Sequence, residues 1–192
     1  MTIPNIITFV RLLVLTPAFV ILAAKDLTGA AVVTLVVLGI SDWADGFIAR
    51  RFNQVSELGK AIDPLADRAG MAAVILTLAI TGRAEWWMLG LVVVPDVILA
   101  VGMLVLVVTR RWPLPELSVT WLGKARTAAL MVGLPLLLLA SSDEGSVLWD
   151  VAFVISTLGC VGHAVAAADY ARQAALALRA RGVRAADGAA AG

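Results

Sequence analysis

The chain reads as an all-α integral membrane protein, with six transmembrane helices around a polar cavity that opens toward the cytoplasm. Three observations predict this. Of 192 residues, 61% are hydrophobic and 15% are charged, whereas soluble domains carry about 25% charged residues. The apolar residues fall into long runs, and about twenty such residues are needed to cross a bilayer as a helix. Four aspartates interrupt two of those runs at helical spacing. A net charge of +1 gives no reason to expect a nucleic-acid partner, and the lone Cys160 excludes an intrachain disulfide. No internal repeat is evident.

Taken in order, Met1 to Asn5 is short and lacks the basic start of a signal peptide. Ile6 to Ala24 is the first span, with Arg11 near its start and Pro17 inside it. Arg11 could snorkel to the surface or point into a polar cavity. Further spans are predicted at 29–50, 61–81, 86–109, 121–141 and 147–171. The breaks are Lys25-Asp26, Arg51 to Leu58, Gly82 to Glu85, Arg110 to Glu116 and Ser141 to Ser146. Pro113 and Pro115 keep the fourth break non-helical. Pro17, Pro95 and Pro135 lie within spans, where they kink a helix. Trp86, Trp87, Trp112, Trp121 and Trp149 fall at span ends, as an interfacial belt requires; Trp43 does not. The membrane domain is taken as residues 1–178. Residues 179–192, rich in Ala, Gly and Arg without apolar periodicity, are expected to form a disordered cytoplasmic tail.

Charge in the breaks sets the orientation. Arg50, Arg51, Lys60, Arg68, Arg110, Arg111, Lys124, Arg126 and the arginines after 171 fall on one side, against Lys25 and Arg83 on the other. The positive-inside rule places both termini and the aspartates at the cytoplasmic face.

The aspartates carry the chemistry. Asp42 and Asp45 are spaced i, i+3, and Asp63 and Asp67 are spaced i, i+4, so each pair shares one helix face. A helical hairpin through 51–58 lets all four carboxylates converge. A carboxylate at mid-bilayer costs about 2.5–3.5 kcal/mol, and four together repel. Arg50, Lys60 and Arg68 bridge such a cluster less compactly than metal ions. Oxygen-only ligands select a hard cation, Mg²⁺ or Mn²⁺, and the cluster has room for two ions.

The pattern Asp-x2-Asp-Gly-x2-Ala-Arg-x8-Gly-x3-Asp-x3-Asp, on Asp42, Asp45, Gly46, Ala49, Arg50, Gly59, Asp63 and Asp67, resembles the signature of the CDP-alcohol phosphatidyltransferases. The resemblance extends to the number of spans and to Gly123-Lys124-Ala125-Arg126-Thr127. It implies metal-dependent transfer of a phosphatidyl group from CDP-diacylglycerol to an alcohol, with release of CMP. It further implies metal ligation by Asp42, Asp45, Asp63 and Asp67, and Asp67 as the base. Gly46, Arg50 and Gly59 would contact the CDP moiety, as would Asn5 and Thr8 of the opening segment Pro4-Asn5-x2-Thr8-x2-Arg11, whose resemblance to the family's favours a polar cavity for Arg11. A homodimer in the cell membrane is implied as well.

For the acceptor, Lys124, Arg126 and Arg110 form a candidate basic pocket for a phosphate. A cation at 126 leans toward glycerol 3-phosphate, because cardiolipin-forming relatives tend to carry a small residue there. Acceptance of phosphatidylglycerol or of inositol phosphate are the alternatives. Many relatives carry an arginine–acid pair inside the fourth span where this chain has Pro95-Asp96, so either Arg110 or Arg111 substitutes or the acceptor differs. His163 is expected to be a neutral histidine bonded between helices. A cation transporter or a non-enzymatic membrane scaffold would leave the fixed glycines and arginine of the pattern unexplained.

Overall fold

The computed structural model describes residues 3–51, 57–109 and 121–190, without side chains at 3–4, 45–47, 49–50, 57–65, 122 and 179–190. These residues are helical apart from short turns, and no strand occurs among them. The elements are α1 (Ile3–Val10), a π-helical segment (Arg11–Leu15), α2 (Thr16–Ala24), α3 (Thr28–Arg51), α4 (Glu57–Ile80), α5 (Trp86–Val108), α6 (Trp121–Ala140) and α7 (Val147–Ala190). The first three run on as one rod, so the described residues form six rods, five of which begin and end within a few residues of the predicted spans.

Among the described residues, four helical stretches are long and apolar enough to cross a membrane: Asn5–Ala24, Trp86–Val108, Gly123–Ala140 and Val147–Leu178. In α3 the apolar stretch is the shorter Thr28–Ala44, because the aspartates begin there. Past Leu178 the apolar period stops, yet α7 continues to Ala190 through the residues expected to form a tail. Alanine and arginine are strong helix formers, and local propensity suffices to continue a helix without a packed face.

Local chemistry explains the ends and the irregularity. Gly82 takes φ +72° just past α4, a left-handed conformation that costs glycine little. Gly82 N–H donates to Ala79 O at 3.1 Å and Arg83 N–H to Leu78 O at 2.8 Å, the paired bonds that close a helix C-terminus. The π-helical segment lies just ahead of Pro17. A proline ring clashes with the carbonyl four residues back and removes one N–H. The helix widens instead: Thr16 N–H reaches Arg11 O, and the Thr16 hydroxyl donates to the same oxygen at 2.9 Å.

Helix contacts close into a ring. The first rod packs on α3 and α4, α3 on α6, α6 on α7, α7 on α5, and α5 on α4. The closest pairing is α6 with α7. At Gly133 a Cβ would come within 2.8 Å of the Ser156 backbone nitrogen, so the two backbones meet where α6 has no side chain. The core comprises Phe19, Leu35, Leu38, Ile75, Leu78, Met88 and Val92 with Leu130, Leu134, Leu137 and Leu138. The four leucines recur at i, i+4, i+7 and i+8, one stripe of a helix.

One end of the ring is fastened by a salt bridge and aromatic contacts. Arg83 donates to Ala23 O at 2.9 Å and pairs with Asp26 at 2.7 Å, joining two turns. Trp149 stacks on Phe153 with ring centres 5.0 Å apart, and Trp87 meets the same ring edge-on at 6.1 Å. The aspartates lie toward the other end of α3 and α4.

Candidate active site

A cavity of about 310 Å³ runs inside the ring and touches every rod. Its apolar wall includes Leu35, Leu38, Met71, Val74, Leu130 and Leu134; its polar lining includes Arg11, Asp42, Asp67, Arg68, Asp96, Arg126 and His163.

At one part of the cavity, Arg11 donates through Nη1 to Asp42 Oδ1 and through Nη2 to Asp67 Oδ1. Asp42 comes from α3 and Asp67 from α4. Arg11 itself is buried, held in the π-helical segment where the widened turn carries it between the two helices. The sequence-based expectation that Arg11 faces a polar cavity is met. A guanidinium offered to two carboxylates satisfies charges that would otherwise be costly in an apolar surround.

The donors that converge here are carboxylate oxygens from two helices directed at one positive charge. That donor set suits a hard divalent cation. The other two expected ligands, Asp45 and Asp63, lie outside the described side chains, as do Arg50 and the surroundings of Gly46 and Gly59; Arg110 lies outside the described residues. Among the described residues no group of three or more metal-ligating side chains occurs. Asn5 and Thr8 are buried on α1, two turns and one turn before Arg11, and are not among the described lining residues. Lys124 is exposed and lies outside the lining, whereas Arg126 is part of it.

A second polar group lines the same cavity. Arg126 on α6 contacts His163 Nδ1 on α7 through Nη1. His163 Nε2 stands 3.2 Å from Asp96 Oδ1 on α5. Arg68 Nε on α4 stands 3.6 Å from the same oxygen. His163 thus bonds between helices, as expected. The sequence did not point to Arg68 and His163 as partners of Asp96, because the pairings are 28 and 67 residues apart in the chain. The available signal was weaker: three ionisable residues within otherwise apolar spans, which need one another.

Comparison with known proteins gives the family. The family described as CDP-alcohol phosphatidyltransferase matches residues 1–164. A putative cardiolipin synthase of Mycobacterium tuberculosis is 41% identical over 151 residues, covering 78% of this chain and 69% of the relative. A cardiolipin synthase (CMP-forming) of Streptomyces coelicolor is 36% identical, covering 74% and 67%. The CDP-diacylglycerol–glycerol-3-phosphate 3-phosphatidyltransferase of Escherichia coli is 33% identical, covering 71% and 76%.

Proposed function

Because the chain belongs to the CDP-alcohol phosphatidyltransferase family, we propose that it moves the phosphatidyl group of CDP-diacylglycerol onto a glycerol phosphate unit within this cavity. The observation that carries the proposal is the meeting of Asp42 and Asp67, from two helices, on one cationic partner inside the membrane domain.

The acceptor's primary hydroxyl oxygen attacks the β-phosphorus of CDP-diacylglycerol. The bond from that phosphorus to the oxygen shared with the α-phosphate breaks, and CMP leaves with the electron pair. Asp67 takes the acceptor's proton on a carboxylate oxygen. Arg50, Gly46 and Gly59, with Asn5 and Thr8 on the neighbouring helix, bind the CDP moiety. Asp42, Asp45, Asp63 and Asp67 would hold Mg²⁺ or Mn²⁺, two ions in this reading, and bound metal would neutralise charge on the diphosphate. Phosphoryl transfer of this kind depends mainly on positioning and charge stabilisation. The apolar wall of the cavity suits a lipid substrate. The excess of cations near the aspartate end supports a cytoplasmic active site and cytoplasmic termini. A homodimer follows from the family resemblance.

Phosphatidylglycerol is the acceptor we propose, with cardiolipin as product, on the names of the mycobacterial and streptomycete relatives. Glycerol 3-phosphate is the second reading. Arg126 in the cavity lining favours it, with Lys124 and Arg110 as the further cations named from the sequence. Both acceptors present a primary hydroxyl on a glycerol bearing phosphate; the dianionic phosphate of glycerol 3-phosphate gains more from Arg126, and the phosphodiester of phosphatidylglycerol would use it too. Purified protein in vesicles with CDP-diacylglycerol and Mg²⁺ or Mn²⁺ is to be offered each acceptor in turn and the lipid product identified. Cardiolipin from phosphatidylglycerol is expected. Phosphatidylglycerophosphate alone moves the assignment to the second reading. Product only from inositol phosphate, or none, overturns both.

A further inference from the structure

We propose that His163, anchored by Asp96, is a positioning residue that aims Arg126 at the acceptor; this rests on the reading of Arg126 as an acceptor ligand.

Hydrogen-bond chemistry fixes the direction of the group. A guanidinium has only donors. The His163 nitrogen that meets Arg126, Nδ1, must therefore accept with its lone pair. In a neutral imidazole the proton then resides on Nε2, which faces Asp96 Oδ1 at 3.2 Å. Asp96 accepts this proton's hydrogen bond and also pairs with Arg68, 3.6 Å away. The group reads in one sense: Arg126 donates to His163, His163 donates to Asp96, and Arg68 supplies the balancing charge. Four helices contribute one residue each, and all four residues line the cavity.

Two features tie the arrangement to Arg126 rather than to packing alone. A Cβ at Gly162 would lie 3.1 Å from the Arg126 Cβ, so α7 is bare where the arginine stem passes and bears its imidazole at the next residue. The Arg126 Nε is buried and has no hydrogen-bond partner. Holding a long cationic side chain in one orientation beforehand removes an ordering cost from acceptor binding. The position also accounts for Asp96 standing without an adjacent arginine: its cationic partner comes from α4.

Acceptor KM and CDP-diacylglycerol KM are to be measured for wild type, Arg126→Ala, His163→Ala and the double variant, each checked for an unchanged melting temperature. His163→Ala is expected to raise acceptor KM about three- to tenfold, from the cost of ordering one side chain, with kcat and the donor KM little changed. In the double variant acceptor KM should match Arg126→Ala alone, because nothing is left to position. His163→Asn, whose Oδ1 can stand near the place of Nδ1, should recover most of the loss. If His163→Ala does not fold, Asp96→Asn replaces it in the same cycle with the same expectation. An effect of His163 that multiplies fully onto Arg126→Ala, or an unchanged acceptor KM in the single variant, overturns the inference. If Arg126→Ala itself leaves acceptor KM at the wild-type value, the reading of Arg126 as an acceptor ligand fails as well, and the two failures are thereby told apart.

Discussion

Asp42 and Asp67 reach Arg11 from different helices, so removing Arg11 takes a shared cation from both carboxylates, whereas removing either carboxylate leaves one matched ion pair. The pair was legible in the sequence, because spacing and the matching pattern named both residues. Arg11 was legible as a cation near the start of the first span, in an opening segment that resembles the family's. Its two partners were not, since contacts 31 and 56 residues apart depend on how three helices meet. The expected contributions of Arg50 and Asp63 rest on the pattern alone. Asp67→Asn keeps the shape of the side chain and removes the base. Turnover is expected to fall at least about a hundredfold, the lower range for general-base catalysis, with the melting temperature close to wild type. Near-normal turnover in a folded Asp67→Asn protein would take this residue out of the mechanism.

Helix boundaries were legible to within a few residues where glycine, proline or charge punctuates the chain, as at Gly82 and at the turn after Ala140. Pro17 was legible as a local disturbance. Its form was not: a π-helical turn, in which the Arg11 carbonyl accepts two bonds from Thr16, depends on the residues around the proline. The length of α7 was missed because the absence of an apolar period says where a helix stops being buried, not where it stops being a helix. The α6–α7 contact is the element-level feature with the sharpest test. At Gly133 a side chain would meet Ser156 Oγ at 2.7 Å and its backbone nitrogen at 2.8 Å, while at Gly90 nothing lies within 4 Å. Gly133→Val should therefore lower stability by about 1–3 kcal/mol, the usual cost of overpacking, read as a lower melting temperature in detergent. Gly90→Ala should leave it unchanged or slightly raised. Equal effects at the two positions would contradict the close crossing.

At the scale of the molecule, the ring explains why one cavity gathers polar residues from all six rods while the outer surface remains apolar. Val94, Val97, Ile98, Val101, Leu104 and Val108 on α5 are exposed, as lipid-facing residues of a membrane protein are. The all-α membrane architecture was legible from composition and run length. The closure of the ring was not, because every rod is apolar on most sides and no periodicity says which neighbour each one meets. Orientation is open to direct labelling. Gln54→Cys should react with a membrane-impermeant maleimide only from the cytoplasmic side, and Asp143→Cys only from the outside; the native Cys160 is buried and gives no background. The reverse pattern would place the aspartates away from the nucleotide-handling side.

The central claim is that the carboxylate pair inside this ring transfers a phosphatidyl group with loss of CMP. CMP release from CDP-diacylglycerol by purified protein in phosphatidylglycerol vesicles tests it most directly, with Mg²⁺ or Mn²⁺ present, with excess chelator, and with Asp42→Asn and Asp67→Asn in place of wild type. The account predicts CMP in step with cardiolipin for the wild type with metal, and loss of both with chelator or with either substitution. CMP release that persists undiminished in chelator, or in a folded protein lacking both carboxylates, would contradict it.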